Sequence, residues 1–164
     1  MEKVEFLILR NLLYNEEYVR KVLPFIKGEY FEDYNQKVVF EEIAKFVVEY
    51  NEPATKEVLC IETEKRQDIN DTSFQEITQL ISGLEDEPSE FNWLVNTTEK
   101  WCRDRAIYLA LMESIQLADG KDETQDRDAI PSILSNALAV SFDTHIGHDY
   151  LLDYEERYEL YHKK

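Results

Sequence analysis

The sequence feature that most constrains the fold is a stretch of about 30 residues, Ser89 to Asp119, without glycine or proline. An uninterrupted stretch of this kind is typical of one long helix, on the order of 45 Å from end to end. The whole chain contains only four glycines and four prolines, whereas a sandwich or barrel of many short strands needs frequent turns. We therefore predict an all-α protein.

Apolar residues in this long helix cover more than half of its circumference, so it must be packed on more than one side. The polar segment 120–128 then reverses the chain, and Pro131 suits the first position of a second, shorter helix. Residues 89–142 therefore predict an antiparallel helical hairpin. One hairpin cannot cover both of its own faces, so we expect a second copy to complete the packing. The predicted interface residues are Trp101, Ile107, Tyr108, Leu111, Met112, Ile115, Ile133, Leu134 and Leu138.

Residues 1–87 predict an N-terminal globule of shorter helices, because apolar residues recur there at spacings of three and four. Residues 65–72, polar except for Ile69, predict a loop within it. Side chains that accept hydrogen bonds from free backbone N–H groups mark the expected helix starts. The predicted N-caps are Asn15, Thr55, Ser73 (in a capping box with Glu76) and Ser89.

The last segment, 143–164, predicts a linker over 143–148 and a linker helix over 149–164. A narrow apolar stripe at helical spacing runs along this helix: Leu151, Tyr154, Tyr158 and Tyr161. The stripe can fold back onto its own domain or dock into a groove of another molecule. It can also belong to a longer protein of which this chain is a fragment.

Charge limits the partners of the chain. It has 35 acidic and 18 basic residues, a net charge of −17 spread along its length. Nucleic-acid binding depends on cationic side chains, so we expect weak or no nucleic-acid binding, and no affinity for an anionic membrane. The negative electrostatic field of the chain attracts basic protein surfaces. Alternatively, the acidity serves only to keep the chain in solution. With no signal peptide, no membrane span and two cysteines, the expected location is the cytoplasm.

Catalytic motifs are missing from the sequence. No phosphate-binding loop is present, so we expect no ATPase activity from this chain and no cofactor. Metal ligation would depend on His145, His148, Cys60 and Cys102, which lack the spacing of known metal motifs; a solvated histidine pair and buried structural cysteines are the commoner outcomes. We predict no catalytic residue and no metal site.

Several blocks of the chain resemble the N-terminal region of phage replicative DNA helicases of the DnaB family, particularly those of T4-like phages. The blocks lie in register along nearly the whole chain. They are Val22 to Pro24, Glu29 to Phe31, Trp93 to Ala106, Ala129 to Leu134, Ala137 to Asp143, Gly147 to Asp149, Tyr154 with Glu155, and Arg157.

The resemblance implies a globule over 1–87, a hairpin over 89–142 that mediates oligomerisation, and a linker with its linker helix over 143–164. It implies an assembly module in the collar of a hexameric ring, with self-association from dimer to hexamer and recruitment of a primase or helicase loader. The linker helix would pack against the motor domain of a neighbouring subunit. That motor domain is not in the chain, so unwinding is not expected of it. The alternative is a free-standing acidic binding module, such as a DNA mimic acting on a DNA-binding protein.

Overall fold

The structure, a computed structural model, describes residues 3–121 and 126–142. Within these ranges the regular secondary structure is helical, so the all-α prediction is confirmed. No helix in the same ranges has the length and apolar character needed to cross a membrane. The helices are α1 (Val4–Tyr14), α2 (Glu16–Val22), α3 (Tyr34–Tyr50), α4 (Lys56–Glu64), α5 (Asp71–Ser82), α6 (Phe91–Ala118) and α7 (Ile130–Leu138), with 3-10 turns at Leu23–Phe25, Gly28–Tyr30 and Arg127–Ala129.

One hydrophobic core runs through α1 to α5 and continues into the first half of α6. Its apolar side chains are removed from water almost completely, which is the main favourable contribution to folding. Representative members, each at most 1% exposed, are Ile8, Val22, Ile43, Leu59, Ile77 and Leu94. The core therefore continues past Pro88, and the long helix is anchored in it; the division of the chain into domains at this point stays a prediction.

Two of the predicted N-caps are confirmed. The Asn15 side chain accepts from the backbone N–H of Tyr18 at the start of α2. Thr55 accepts from Val58 at the start of α4. In both places the cap side chain takes up an N–H that the helix leaves without a partner.

The other two N-caps were placed wrongly. Helix α5 begins at Asp71, with Asn70 as its cap, so Ser73 lies inside the helix and the predicted loop over 65–72 is too long. Helix α6 is capped by Glu90, whose carboxylate accepts from the N–H of Trp93 at 2.6 Å. The Ser89 hydroxyl instead bonds to side chains of α1, which leaves the next acceptor along the chain to form the cap.

A buried chain of hydrogen bonds connects α2 to α6. The hydroxyl of Thr98 donates to the carbonyl of Leu94 at 2.8 Å. Its single proton is thereby used, so the Tyr18 hydroxyl, 2.6 Å away, is the donor to Thr98. Burial raises the pKa of Tyr18 far above its ordinary value, so the phenol stays protonated and remains a donor at any physiological pH.

An ion cluster fixes the connection between α4 and α5 against α3. The Arg66 guanidinium donates to Glu42 at 2.8 Å, to Glu41 at 3.1 Å and to Asp68 at 2.7 Å. Asp68 also accepts from the hydroxyl of Tyr34. The hydrogen bond from Arg66 and then that from Tyr34 hold the pKa of Asp68 well below its usual range.

Candidate functional site on the helical hairpin

The second half of α6 carries a stripe of large apolar side chains that the chain leaves in contact with water. Tyr108 and Leu111 are each 48% exposed, Met112 is 42% exposed and Ile115 is 52% exposed. Their spacing of three and four residues places them on one face of the helix. We call these four residues the α6 stripe.

The stripe is exposed because the other faces of α6 are already occupied. The first half of the helix is buried in the core through Leu94, Val95 and Cys102. In the second half, Ala110 and Ser114 are buried on the face where α7 packs. A helix whose apolar residues cover more than half of its circumference then has one apolar side left without cover.

Helix α7 runs antiparallel to α6 and extends the exposed surface. Ala137 is buried, whereas Leu138 is 64% exposed and Ile133 and Leu134 are partly exposed. Ile133 and Ala137 line a cleft of about 430 Å³ between the hairpin and the segment around Tyr30. Leu134 and Leu138 do not line that cleft, and helical spacing places both on one face of α7.

The end of the hairpin is anchored by the carboxylate of Glu99. One of its oxygens accepts from the backbone N–H of Phe142 at 2.8 Å, from the Ser141 hydroxyl at 2.9 Å and from Arg103 at 3.3 Å. Arg103 also donates to the carbonyl of Val140 at 2.9 Å. The Phe142 ring stacks on Phe25 at 4.8 Å between centroids. The two arms are therefore connected by polar contacts as well as packing, so the exposed stripe is presented on a preorganised support.

The stripe lies in the part of α6 with the lowest charge. Between Ala106 and Ala118 the only charged residue is Glu113, in a chain with a net charge of −17. At the edge of the stripe, Arg105 lies 4.9 Å from the centre of the Tyr108 ring and donates to the Tyr30 carbonyl at 2.5 Å. Two copies that met through this face would bring together little like charge, and like charge is the main penalty for association of acidic chains.

Trp101, which sequence reasoning placed in the interface, lies inside the chain. It is 8% exposed, and its ring packs on Phe31 at 4.9 Å and edge-on against Tyr30 at 6.0 Å. Its indole N–H donates to Glu5 at 3.1 Å. Of the other eight predicted residues, the four of the α6 stripe and Leu138 are exposed. Ile107, Ile133 and Leu134 are partly exposed, and Ile133 lines the cleft. Conversely, Trp93 is 52% exposed and was not among the predicted interface residues.

The predicted linker-helix residues Leu151, Tyr154, Tyr158 and Tyr161 lie outside the described residues, as do His145 and His148. Of the two cysteines, Cys60 is partly exposed and Cys102 is buried. Burial, and then the nearby Glu99 carboxylate, raise the pKa of the Cys102 thiol far above its usual value, which makes it a poor nucleophile. Burial also raises the pKa of Tyr30, to about 12. In the described part of the chain, no group of three or more His, Cys, Asp or Glu side chains is arranged to hold a metal ion.

Comparison with known proteins supports the resemblance seen in the sequence. No family model matches the chain. The chain is 33% identical over 166 aligned residues, which cover 96% of its length, to the DnaB-like replicative helicase of Enterobacteria phage T4. The matched region is 35% of the length of that helicase, so the chain spans about a third of the relative. The predicted resemblance to a DnaB-like replicative helicase of a T4-like phage is confirmed.

Proposed function

We propose that this chain is an assembly module of a replicative helicase, and that copies of it associate through the hairpin. The carrying observation is the α6 stripe, an apolar face without charge on a strongly acidic chain. The similarity to a replicative helicase over 96% of the chain supports the replication context, and the stripe supports the mode of action. Binding, not catalysis, is the activity we assign to the described residues.

The size of the stripe sets the expected strength of association. Its four residues and Leu138, each about half exposed, offer on the order of 500 Å² of apolar surface per copy. A symmetric dimer buries the same patch on both copies, roughly 1,000 Å² in total, which is near the lower limit for a specific interface. The isolated chain should therefore form a weak dimer that further contacts in a longer protein would reinforce.

Two finer proposals follow from the resemblance. In a ring, dimers formed through the hairpin would be repeated to build a hexameric collar. That collar would recruit a primase or a helicase loader, with the acidic surface of the chain favouring partners of basic character. ATP-driven unwinding would then belong to a motor domain in the same longer protein.

Sedimentation equilibrium tests the assembly role directly. Leu111→Asp places a charge in the centre of the stripe and should convert the chain to a monomer at high micromolar concentration. Gln116→Asp is the matched control, because it adds the same charge to an exposed position of the same helix next to Ile115. A strictly monomeric unmodified chain, or equal effects of the two substitutions, contradicts the proposal.

The salt dependence of binding distinguishes this proposal from the alternative function, that of an acidic DNA mimic. The net charge of −17 is the observation that favours the alternative. Apolar pairing of hairpins should persist or strengthen when the salt concentration is raised. Binding of a basic DNA-binding surface by acidic side chains should instead weaken, because the charges are screened. A salt series on self-association of the chain, and on its binding to a basic DNA-binding protein, therefore decides between the two functions.

A further inference from the structure

A second apolar surface lies on the α3–α4 side of the molecule, and no residue of the hairpin contributes to it. It is a groove of about 440 Å³ between the C-terminal half of α3 and helix α4. Its apolar wall consists of Phe46, Tyr50, Val58 and Ile61. We call it the α3–α4 groove.

Two side chains of the apolar wall are far more exposed to water than the side chains of the core. Tyr50 is 57% exposed and Ile61 is 49% exposed. The rings of Phe46 and Tyr50 lie 4.6 Å apart, and Phe46 also packs on the core. The aromatic pair of Phe46 and Tyr50, together with the exposed Ile61, forms a favourable binding surface for a large apolar group.

Three carboxylates border the groove, Glu42, Glu49 and Glu62, with Lys45 as the basic residue among the described lining residues. Glu42 is 5% exposed and pairs with Arg66, and Glu62 pairs with Lys65. The Lys45 ammonium is already engaged, at 3.2 Å from Glu42 and 3.6 Å from Glu62. Among the described residues, Glu49 forms no ion pair, and it precedes the exposed Tyr50 ring directly.

We infer that the α3–α4 groove is a docking site for a segment of a partner protein that carries large apolar side chains flanked by lysine or arginine. The apolar residues would pack between Tyr50 and Ile61. A flanking cation would pair with Glu49 and lie against the Tyr50 ring, which attracts cations through its π face. An acidic or phosphorylated segment is disfavoured, because it would meet the Glu49 carboxylate, which no described cation neutralises.

This inference deepens the recruitment part of the proposed function and rests on it, because it names the surface and the chemistry of the recruited segment. It does not depend on self-association. The groove is built from α3 and α4, the stripe from α6, and no residue is shared between them. One surface can therefore be altered while the other is left intact.

The probe is a synthetic amphipathic helical peptide of leucine and lysine, with a leucine–glutamate peptide of the same pattern as its negative counterpart. The full chain, labelled with ¹⁵N, is titrated with each peptide. Only the lysine peptide should bind, and the shifted amide signals should centre on Phe46, Tyr50, Val58 and Ile61. Shifts that centre on the α6 stripe, or binding of both peptides, would overturn the inference.

Paired variants then test the two parts of the site by fluorescence anisotropy. Ile61→Asn should weaken binding of the lysine peptide about tenfold, whereas Trp93→Asn, which removes an equally exposed apolar residue of α6, should change it less than about twofold. Glu49→Gln should weaken binding several times more than Glu17→Gln, an exposed acid on α2. Equal effects within either pair would mean general attraction to an acidic chain and would overturn the inference.

The outcomes for the groove and for assembly can be told apart. If Leu111→Asp abolishes self-association but leaves peptide binding unchanged, both proposals stand. If the unmodified chain is monomeric and still binds the lysine peptide in the groove, only the assembly role is refuted. If the chain dimerises and Ile61→Asn leaves peptide binding unchanged, only the groove is refuted.

Discussion

The hydrogen-bond chain from Tyr18 through Thr98 to Leu94 predicts an unequal response to deletion of its two side-chain members. Tyr18→Phe removes the end donor and leaves the Thr98 hydroxyl bonded to Leu94, so one hydrogen bond is lost, at a cost of about 1 kcal/mol. Thr98→Val removes the middle member, which preserves the shape but deprives the Tyr18 hydroxyl of its acceptor. Because Tyr18 and Thr98 are both 0% exposed, no water replaces the lost partner, and we expect a cost of about 2–3 kcal/mol.

The double variant should be less damaged than Thr98→Val alone, since the stranded hydroxyl is then absent. We expect the pair together to cost about 1 kcal/mol, which corresponds to a coupling of roughly 2–3 kcal/mol between the two positions. In thermal unfolding, this means that adding Tyr18→Phe to Thr98→Val raises the melting temperature by several degrees, at about 2–4 °C per kcal/mol. Urea unfolding followed by far-UV circular dichroism measures all four species of the cycle.

Tyr14→Phe provides the matched control. The Tyr14 hydroxyl also donates one hydrogen bond, to the Leu84 carbonyl at 2.8 Å, but Tyr14 is 38% exposed. Water can replace the lost partner there, so the loss should be under about 1 kcal/mol and should add to that of Thr98→Val. If Tyr18→Phe and Thr98→Val are additive as well, the buried chain of hydrogen bonds is refuted as the link between α2 and α6.

Three further predictions concern single sites. A disulfide reagent should modify Cys60 in the folded chain and reach Cys102 only after unfolding, which thiol counting with and without denaturant checks; modification of both at the same rate would contradict the burial of Cys102. Asp68→Asn should lower the free energy of unfolding at pH 7 by less than about 1 kcal/mol, because Asp68 is 43% exposed beside Arg66. The hydrogen bonds lower the pKa of Asp68 in the folded state, so this difference should be constant above its ordinary pKa of 3.8 and should disappear as the pH falls further; a difference that grows in acid would refute it. Asn51 ends α3 in the left-handed conformation at φ 55°, so Asn51→Gly should be close to neutral while Asn51→Val should cost about 1 kcal/mol or more in urea unfolding.

Local sequence patterns predicted the N-cap of a helix correctly where only one nearby residue was suited to that role. Asn15 and Thr55 are the suitable capping side chains at their helix starts, and both cap as predicted. At Ser73 and Ser89 the sequence offers competitors, Asn70 and Glu90, within three residues. Which one caps depends on what the rest of the fold does with each side chain, and contacts from α1 are what engage Ser89.

The sequence indicated that α6 carries more apolar residues than one packing partner can cover, but not which of them are exposed. Apolar residues over more than half of the circumference of α6 indicate more than one packing partner, yet the sequence does not say which residues the chain covers itself. Trp101 and Tyr108 look alike in the pattern, and the packing of Phe31 and Tyr30 on Trp101 is what separates the buried ring from the exposed one. The α3–α4 groove was missed because Tyr50 and Ile61 sit at helix ends or beside charged residues, and only the packing of the two helices brings them together.

Because α6 is one unbroken helix from the core to the stripe, the number of residues between them fixes the direction in which the stripe faces. Inserting a single residue between Cys102 and Tyr108 would turn every later side chain by about 100° and advance it by about 1.5 Å. The stripe would then rotate toward the positions where α7 packs, and Ala110 and Ser114 would turn toward water. Seven inserted residues, close to two full turns, would nearly restore the direction of the stripe while moving it about 10 Å along the axis. This segment should therefore tolerate substitution far better than any change in length that is not close to a whole number of turns.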